Sequence, residues 1–198
     1  GSYPRLAFSR SEAKAIHSLF DPRQSLLALD FDASRNLFDS GALARYALLH
    51  VATHAAPDAE HPALSSLVLS LRTASGAKTD GFVRSHDIGT MPRLSCDVLV
   101  LSGCGTGLGK SISGEGPLSL AREFLEAGAG SVAVSFWNVE DESTASLMRE
   151  FYRDLTAKGD RARPAASLQR AQLAIRRNDG RWRHPYYWGG WAVVGNGN

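Results

Sequence analysis

Thr53-His54-Ala55 and Ser102-Gly103-Cys104-Gly105 each close a strongly apolar run. The runs are Tyr46-Ala47-Leu48-Leu49-His50-Val51-Ala52 and Asp97-Val98-Leu99-Val100-Leu101. An apolar run bounded by turn residues reads as a strand buried on both faces. As neighbouring parallel strands, the two leave a histidine and a cysteine at the carboxyl edge of the sheet. That edge is where open α/β sheets carry their sites. A thiol and an imidazole brought together there are the minimum equipment for nucleophilic acyl transfer.

The flanking segments supply the helices such a sheet needs. Ala13, Ile16, Leu19 and Phe20 share a face of a helix over residues 11–20. Residues 25–30 read as a short strand, and Ser34 as the N-cap of a helix through Leu43. Residues 67–71 and 81–83 flank the turn-like Ala74-Ser75-Gly76, which predicts a hairpin with a loose connection. Beyond Cys104 comes a glycine-rich loop, Gly105 to Gly116, then a helix from about Pro117 to Ala127 that stops at Gly128. Residues 131–137 form a further buried strand. Glu140 to Ala157 and Ala165 to Arg177 have helical spacing, and Trp191-Ala192-Val193-Val194 closes as a last strand. This alternation predicts an α/β fold with a largely parallel sheet covered on both faces.

The chain has 198 residues, enough for one domain with a sizeable core. Gly1-Ser2 reads as a cloning scar, and residues 3–198 as a single domain excised from a longer protein. A net charge of +2 gives no warrant for a nucleic-acid or anionic-membrane partner. The basic run from Arg176-Arg177 to Arg181-Trp182-Arg183 reads as a solvated helix end and loop. No apolar stretch approaches the roughly 20 residues of a membrane span. Two cysteines, Cys96 and Cys104, are no disulfide framework, which points to a reducing cytoplasm. They are also too few for a tetrahedral zinc site without several distant ligands, so neither metal nor organic cofactor is expected.

The two cysteines differ in setting. Cys96 precedes a core strand and fits an inert small hydrophobe. Gly103, Gly105, Gly107 and Gly109 surround Cys104, and glycines let a substrate backbone approach and let N–H groups converge. A buried inert thiol and a nucleophile both fit that pattern. His54 divides in the same way between base and structural group. His50, inside its strand, reads as a satisfied structural histidine. The stretch Cys104-Gly105-Thr106-Gly107-Leu108-Gly109-Lys110-Ser111 misses a phosphate-binding loop by one residue, since its first glycine is Cys104. Its continuation to Pro117 argues against that use, which leaves nucleotide binding as a minor alternative.

A family resemblance runs through these motifs. His50 to His54, Leu101 to Gly109, Gly114 to Arg122, Ala127 to Trp137, Asn138 to Ala145 and His184 to Trp188 resemble, in order, the CHAT domain. That is a caspase-like protease domain often fused to tetratricopeptide repeats and related to separase, caspases and gingipain-type proteases. The resemblance implies a caspase-like three-layer sandwich and a cysteine endopeptidase with Cys104 as nucleophile and His54 as its partner. It implies an oxyanion site from the backbone N–H groups of Cys104 and Ala55, the latter where the family usually has glycine. Gly103 stands where the family more often has alanine, a mild change. A peptide substrate would pair as a strand near Ser135-Phe136-Trp137-Asn138. Candidate pocket residues are Ser102, Ser135, Trp137, Asp30 and Asp141, with Glu140, Glu142 and Asp32 beside the acids. The expected partners are a protein or peptide substrate and a fused or separate regulatory domain such as helical repeats. The alternative is a CHAT-like module that binds peptide without cleaving it.

Overall fold

A computed structural model describes residues 3–58, 60–103, 115–137, 139–157, 163–177 and 180–196, with the side chains of 118 onward for the fourth helix. Helix α1 (Ser9–His17) leads to a short helix α2 (Asn36–Asp39). Strands β1 (Leu48–Val51), β2 (His54–Ala56), β3 (Ser66–Val68) and β4 (Phe82–Arg84) follow, then α3 (Ser85–Ile88) and β5 (Val98–Leu101). The second half holds α4 (Glu115–Glu126), β6 (Ser131–Ser135), α5 (Asp141–Ala157), α6 (Pro164–Arg177) and β7 (Trp191–Gly195).

The main sheet has the order β1-β5-β6-β7. β1, β5 and β6 are parallel, and β7 returns antiparallel on β6. β5 and β6 are buried at every position, as the apolar runs 98–101 and 132–134 require for strands covered on both sides. Alternation along the strands sorts their side chains into two layers. Leu49, Leu99, Leu101, Val132 and Val134 pack on one face with Leu120 and Phe124 of α4 and Ile88 of α3. Val98, Val100 and Ala133 pack on the other with Ile16 of α1, Leu147 and Phe151 of α5 and Leu168 of α6. The architecture is therefore α/β, with helices on both faces of a mostly parallel sheet.

Three expectations change. Residues 25–29 pair with no strand of either sheet; Leu26 is exposed, and a 3-10 turn at Asp30–Asp32 ends the segment. The helix expected through Leu43 stops at Asp39, because Gly41 takes φ +72°, a conformation that ends a right-handed helix. The histidine run also divides. β1 ends at Val51, and His54 opens β2 in a second, antiparallel sheet of order β2-β3-β4. The hairpin expected from residues 67–71 and 81–83 is the β3-β4 pair of this sheet.

Candidate active site

β1 and β5 are in parallel register from Leu48 opposite Val98 to Val51 opposite Leu101. The Ser102 amide donates to the Val51 carbonyl at 2.9 Å, which extends the ladder one step. Beyond it the two chains close up further. A Cβ at Gly103 would lie 1.6 Å from the Thr53 carbonyl oxygen. Gly103 immediately precedes Cys104, and Thr53 immediately precedes His54. The missing side chain is thus what lets the backbones at Gly103 and Thr53 lie against each other. Alanine is not a mild change at this position in this chain. Cys104 itself lies outside the described residues, as do 105–114 and with them the near-miss phosphate loop and the Cys104 half of the expected oxyanion pair.

His54 is held from the amino-terminal segment. Its Nε2 lies 2.5 Å from the Pro4 carbonyl oxygen, and the Tyr3 ring stands 5.8 Å from its own, centroid to centroid. Tyr3 in turn meets Phe82 of β4 edge-on at 6.0 Å. A carbonyl only accepts, so Nε2 carries the hydrogen. In the neutral imidazole the remaining nitrogen, Nδ1, is then the proton acceptor. The adjacent Thr53 hydroxyl donates to the Val68 carbonyl and pins the turn from β1 into β2. Ala55 faces Leu67 in β2. Among the described residues other than glycine only Asp30 has positive φ, so alanine sits at position 55 without backbone strain.

A small hollow between these segments is lined by Thr53, Ala55, Leu101, Gly103 and Ser135, which brings Ala55 and Ser135 to the Gly103–Thr53 junction. The Ser135 hydroxyl donates to the Trp137 carbonyl at 2.7 Å. Trp137 is partly exposed, donates from its indole to the Tyr186 carbonyl at 2.9 Å and packs its ring on Gly190. The Phe136 amide is taken by the Gly190 carbonyl at 2.9 Å, so β7 occupies one side of the segment expected to receive a peptide. Asn138 lies outside the described residues.

The acids separate. Asp30 binds both Arg5 and Arg10, and the Arg5 hydrogen bond holds its carboxyl below the usual value. Glu140 accepts from the Trp182 indole at 3.0 Å, and Glu142 pairs with Arg181 at 2.6 Å. Asp141, in the first turn of α5, has no ion pair among the described residues. A wider cavity of about 910 Å³ is lined by Leu173, Arg176, Arg177, Gly180 and Arg183 and holds none of the candidate residues. Arg176 and Arg177 are exposed in the last turn of α6, where cations complement the helix dipole.

The sequence profile of the CHAT domain matches residues 1–196. This chain belongs to the CHAT domain family. It is also similar to tetratricopeptide repeat protein 28 of Mus musculus, 30% identical over 104 residues, which are 52% of this chain and 4% of that protein. The chain therefore spans a small fraction of the curated relative it matches.

Within this CHAT domain the remaining cysteine is unsuited to chemistry. Cys96 is 2% exposed, and burial pushes its thiol up to about 11. His50 is satisfied, as its position inside a strand suggested: Nδ1 meets the Tyr152 hydroxyl at 3.2 Å and Nε2 meets Glu12 at 2.9 Å. Ser102 faces the same carboxylate and not an open pocket, donating to Glu12 at 2.6 Å with 5% of its surface exposed. Sequence reasoning missed two groups here. The Pro4 carbonyl acts through the main chain and leaves no residue-type signal. Glu12 is an acid on the inward face of α1, where helical spacing marks only apolar positions.

Proposed function

We propose that this CHAT domain is a cysteine endopeptidase that cleaves a partner protein, with Cys104 as nucleophile and His54 as its base and acid. The observation that carries the reading is the hydrogen bond from His54 Nε2 to the Pro4 carbonyl. It fixes one tautomer of an imidazole whose chain neighbour, Thr53, lies against the residue before Cys104. In the reaction, His54 Nδ1 takes the thiol proton and the Cys104 sulfur adds to the scissile carbonyl carbon. The Ala55 and Cys104 amides receive the resulting oxyanion. Collapse breaks the C–N bond, and His54 returns its proton to the leaving amine. Water, deprotonated by His54, then adds to the thioester and releases the carboxylic acid and the free thiol. No metal or organic cofactor enters these steps.

The substrate binds extended beside Ser135 and Trp137, with Asp141, the acid among residues 140–142 not engaged by an arginine or tryptophan, facing a basic residue. The compartment is the cytoplasm. Among the described residues no helix is long and apolar enough to cross a membrane. The regulator is a helical-repeat unit, fused or separate; the mouse relative carries tetratricopeptide repeats in its name. Incubation with a peptidyl acyloxymethyl ketone, followed by mass mapping, tests the assignment. The expected adduct is on Cys104, is lost in Cys104→Ala and is insensitive to added nucleotide. An adduct on Cys96 overturns the nucleophile. Peptide binding with no adduct and no cleavage makes the domain an interaction module, and nucleotide binding with neither makes it a nucleotide-binding one.

A further inference from the structure

Helix α1 buries two of its residues, Glu12 and Ile16, one turn apart. Ile16 joins the apolar layer of α5 and α6. Glu12 enters the same layer with a carboxylate that is 5% exposed, and a buried carboxylate stands only where it is well hydrogen-bonded. Oε1 takes two donors, His50 Nε2 of β1 at 2.9 Å and the Ser102 hydroxyl at 2.6 Å. The donor order is closed. A carboxylate only accepts, so His50 Nε2 carries the hydrogen; in the neutral ring Nδ1 then accepts from the Tyr152 hydroxyl. α1, β1, α5 and the residue that follows β5 are thereby tied to one carboxyl group.

Stability by itself is a weak reason for a buried ionic cluster. Buried ionic groups are often replaceable by well-packed apolar ones without loss of stability. What the cluster fixes is Ser102, two residues before Cys104 and immediately before Gly103, whose backbone is wedged against Thr53. We propose that Glu12 is a positioning residue for the Cys104 nucleophile: its carboxylate, buttressed by His50, anchors the Ser102 hydroxyl and with it the end of β5 that leads into Cys104. This rests on Cys104 being the nucleophile. It also gives Ser102 a different job from lining the substrate pocket.

The test measures kinact and KI for a peptidyl acyloxymethyl ketone on the full chain, well below the melting midpoint of each variant. Ser102→Ala and Glu12→Gln are expected to lower kinact at least about tenfold with KI held within about twofold, because misplacement of a reacting group acts on the bond-forming step. Glu12→Ala, which removes the acceptor altogether, is expected to fall further. Tyr152→Phe keeps the ring and removes only the distal hydrogen bond. It is expected to lower kinact by less than Ser102→Ala does, because it reaches Glu12 only through His50. If Glu12→Gln does not fold, Ser102→Ala decides by itself, since Glu12 and His50 remain paired in it. Wild-type kinact in Ser102→Ala overturns the positioning role, and a raised KI with kinact kept returns Ser102 to the pocket. If the wild-type protein gives no adduct on Cys104, the nucleophile assignment fails, and the positioning proposal fails with it.

Discussion

Gly103→Ala places one methyl group at the point where the two functional segments meet. The added Cβ would lie 1.6 Å from the Thr53 carbonyl oxygen and 2.8 Å from its carbon, and real Cβ contacts do not fall below 3.0 Å. The blocking atoms are backbone, so no rotamer change relieves them. One of the two segments must move by about 1.4 Å or more. Their immediate neighbours are fixed: Ser102 by the Val51 carbonyl and Glu12, Thr53 by its hydroxyl on Val68. Overpacking of this kind costs about 1–3 kcal/mol, a fall of several degrees in Tm for a domain of this size. The larger effect is on the site. A displacement of about 1 Å between reacting groups costs on the order of 100-fold in rate. Labelling of Cys104 by the peptidyl electrophile should fall by about that factor at a temperature where the variant is still folded. Gly89→Ala is the matched control, because a Cβ there meets nothing within 4 Å and φ is ordinary. It should leave both Tm and labelling unchanged. Gly103→Ala with a wild-type labelling rate and a Tm within about 1 °C of wild type would refute the close-approach argument.

Removal of residues 1–4 deletes the carbonyl that fixes His54 and the ring beside it, and should cut Cys104 labelling about tenfold or more with little change in Tm; unchanged labelling would show that the tautomer is set elsewhere. Native-state alkylation at pH 8 should spare Cys96, whose thiol at about 11 is ionised in only about one molecule in a thousand, and unfolding in denaturant should expose it to the same reagent. Asp87, the least exposed of the lowered carboxyls, contributes to the acid limb of stability. Burial raises its carboxyl, but the Arg84 amide and the Arg35 guanidinium outweigh that and hold it below the usual value. Its stabilisation is thus complete above an unfolded value of about 3.9 and is lost as pH falls through the lower folded value. Asp87→Asn should flatten the fall in Tm below about pH 4, and a parallel acid limb in the variant would exclude the residue. At neutral pH, Arg35→Ala should cost about 2 kcal/mol in denaturant unfolding, because it strips the Asp87 carboxylate and the Phe82 carbonyl of a donor.

What could be read in the chain follows from where the information is carried. β5 and the centre of β6, residues 98–101 and 132–134, are apolar runs with both faces covered, so their burial is written in residue type and their pairing follows from the α/β alternation. The parallel partnership of β1 with β5, and hence the approach of the His54 and Cys104 segments, came with it. Residues 25–29 have the same apolar look and form no strand, because periodicity reports partial burial and not the hydrogen-bond partner. The break between Val51 and His54 escaped for a related reason. One apolar run serves two sheets, and the turn between them is made by the Thr53 hydroxyl and by the approach of Gly103 from 50 residues away.

The site divides along the same line. Cys104 and His54 are chemically scarce residue types at the ends of apolar runs, and residue type alone marks them as candidates. The groups that hold His54 and the segment up to Gly103 are of other kinds: a main-chain carbonyl at Pro4, an absent side chain at Gly103, and a carboxylate at Glu12 on a face expected to be apolar. Each acts through a contact at long sequence separation. Glu12 is the instructive one, since an acid at an inward helical position is a local conflict, and conflicts of that kind collect at functional sites. A buried Glu one turn before Ile16 contradicts the amphipathic pattern of α1 and gains nothing for the core. Its place is explained by the two donors it receives from the strands that lead to His54 and Cys104.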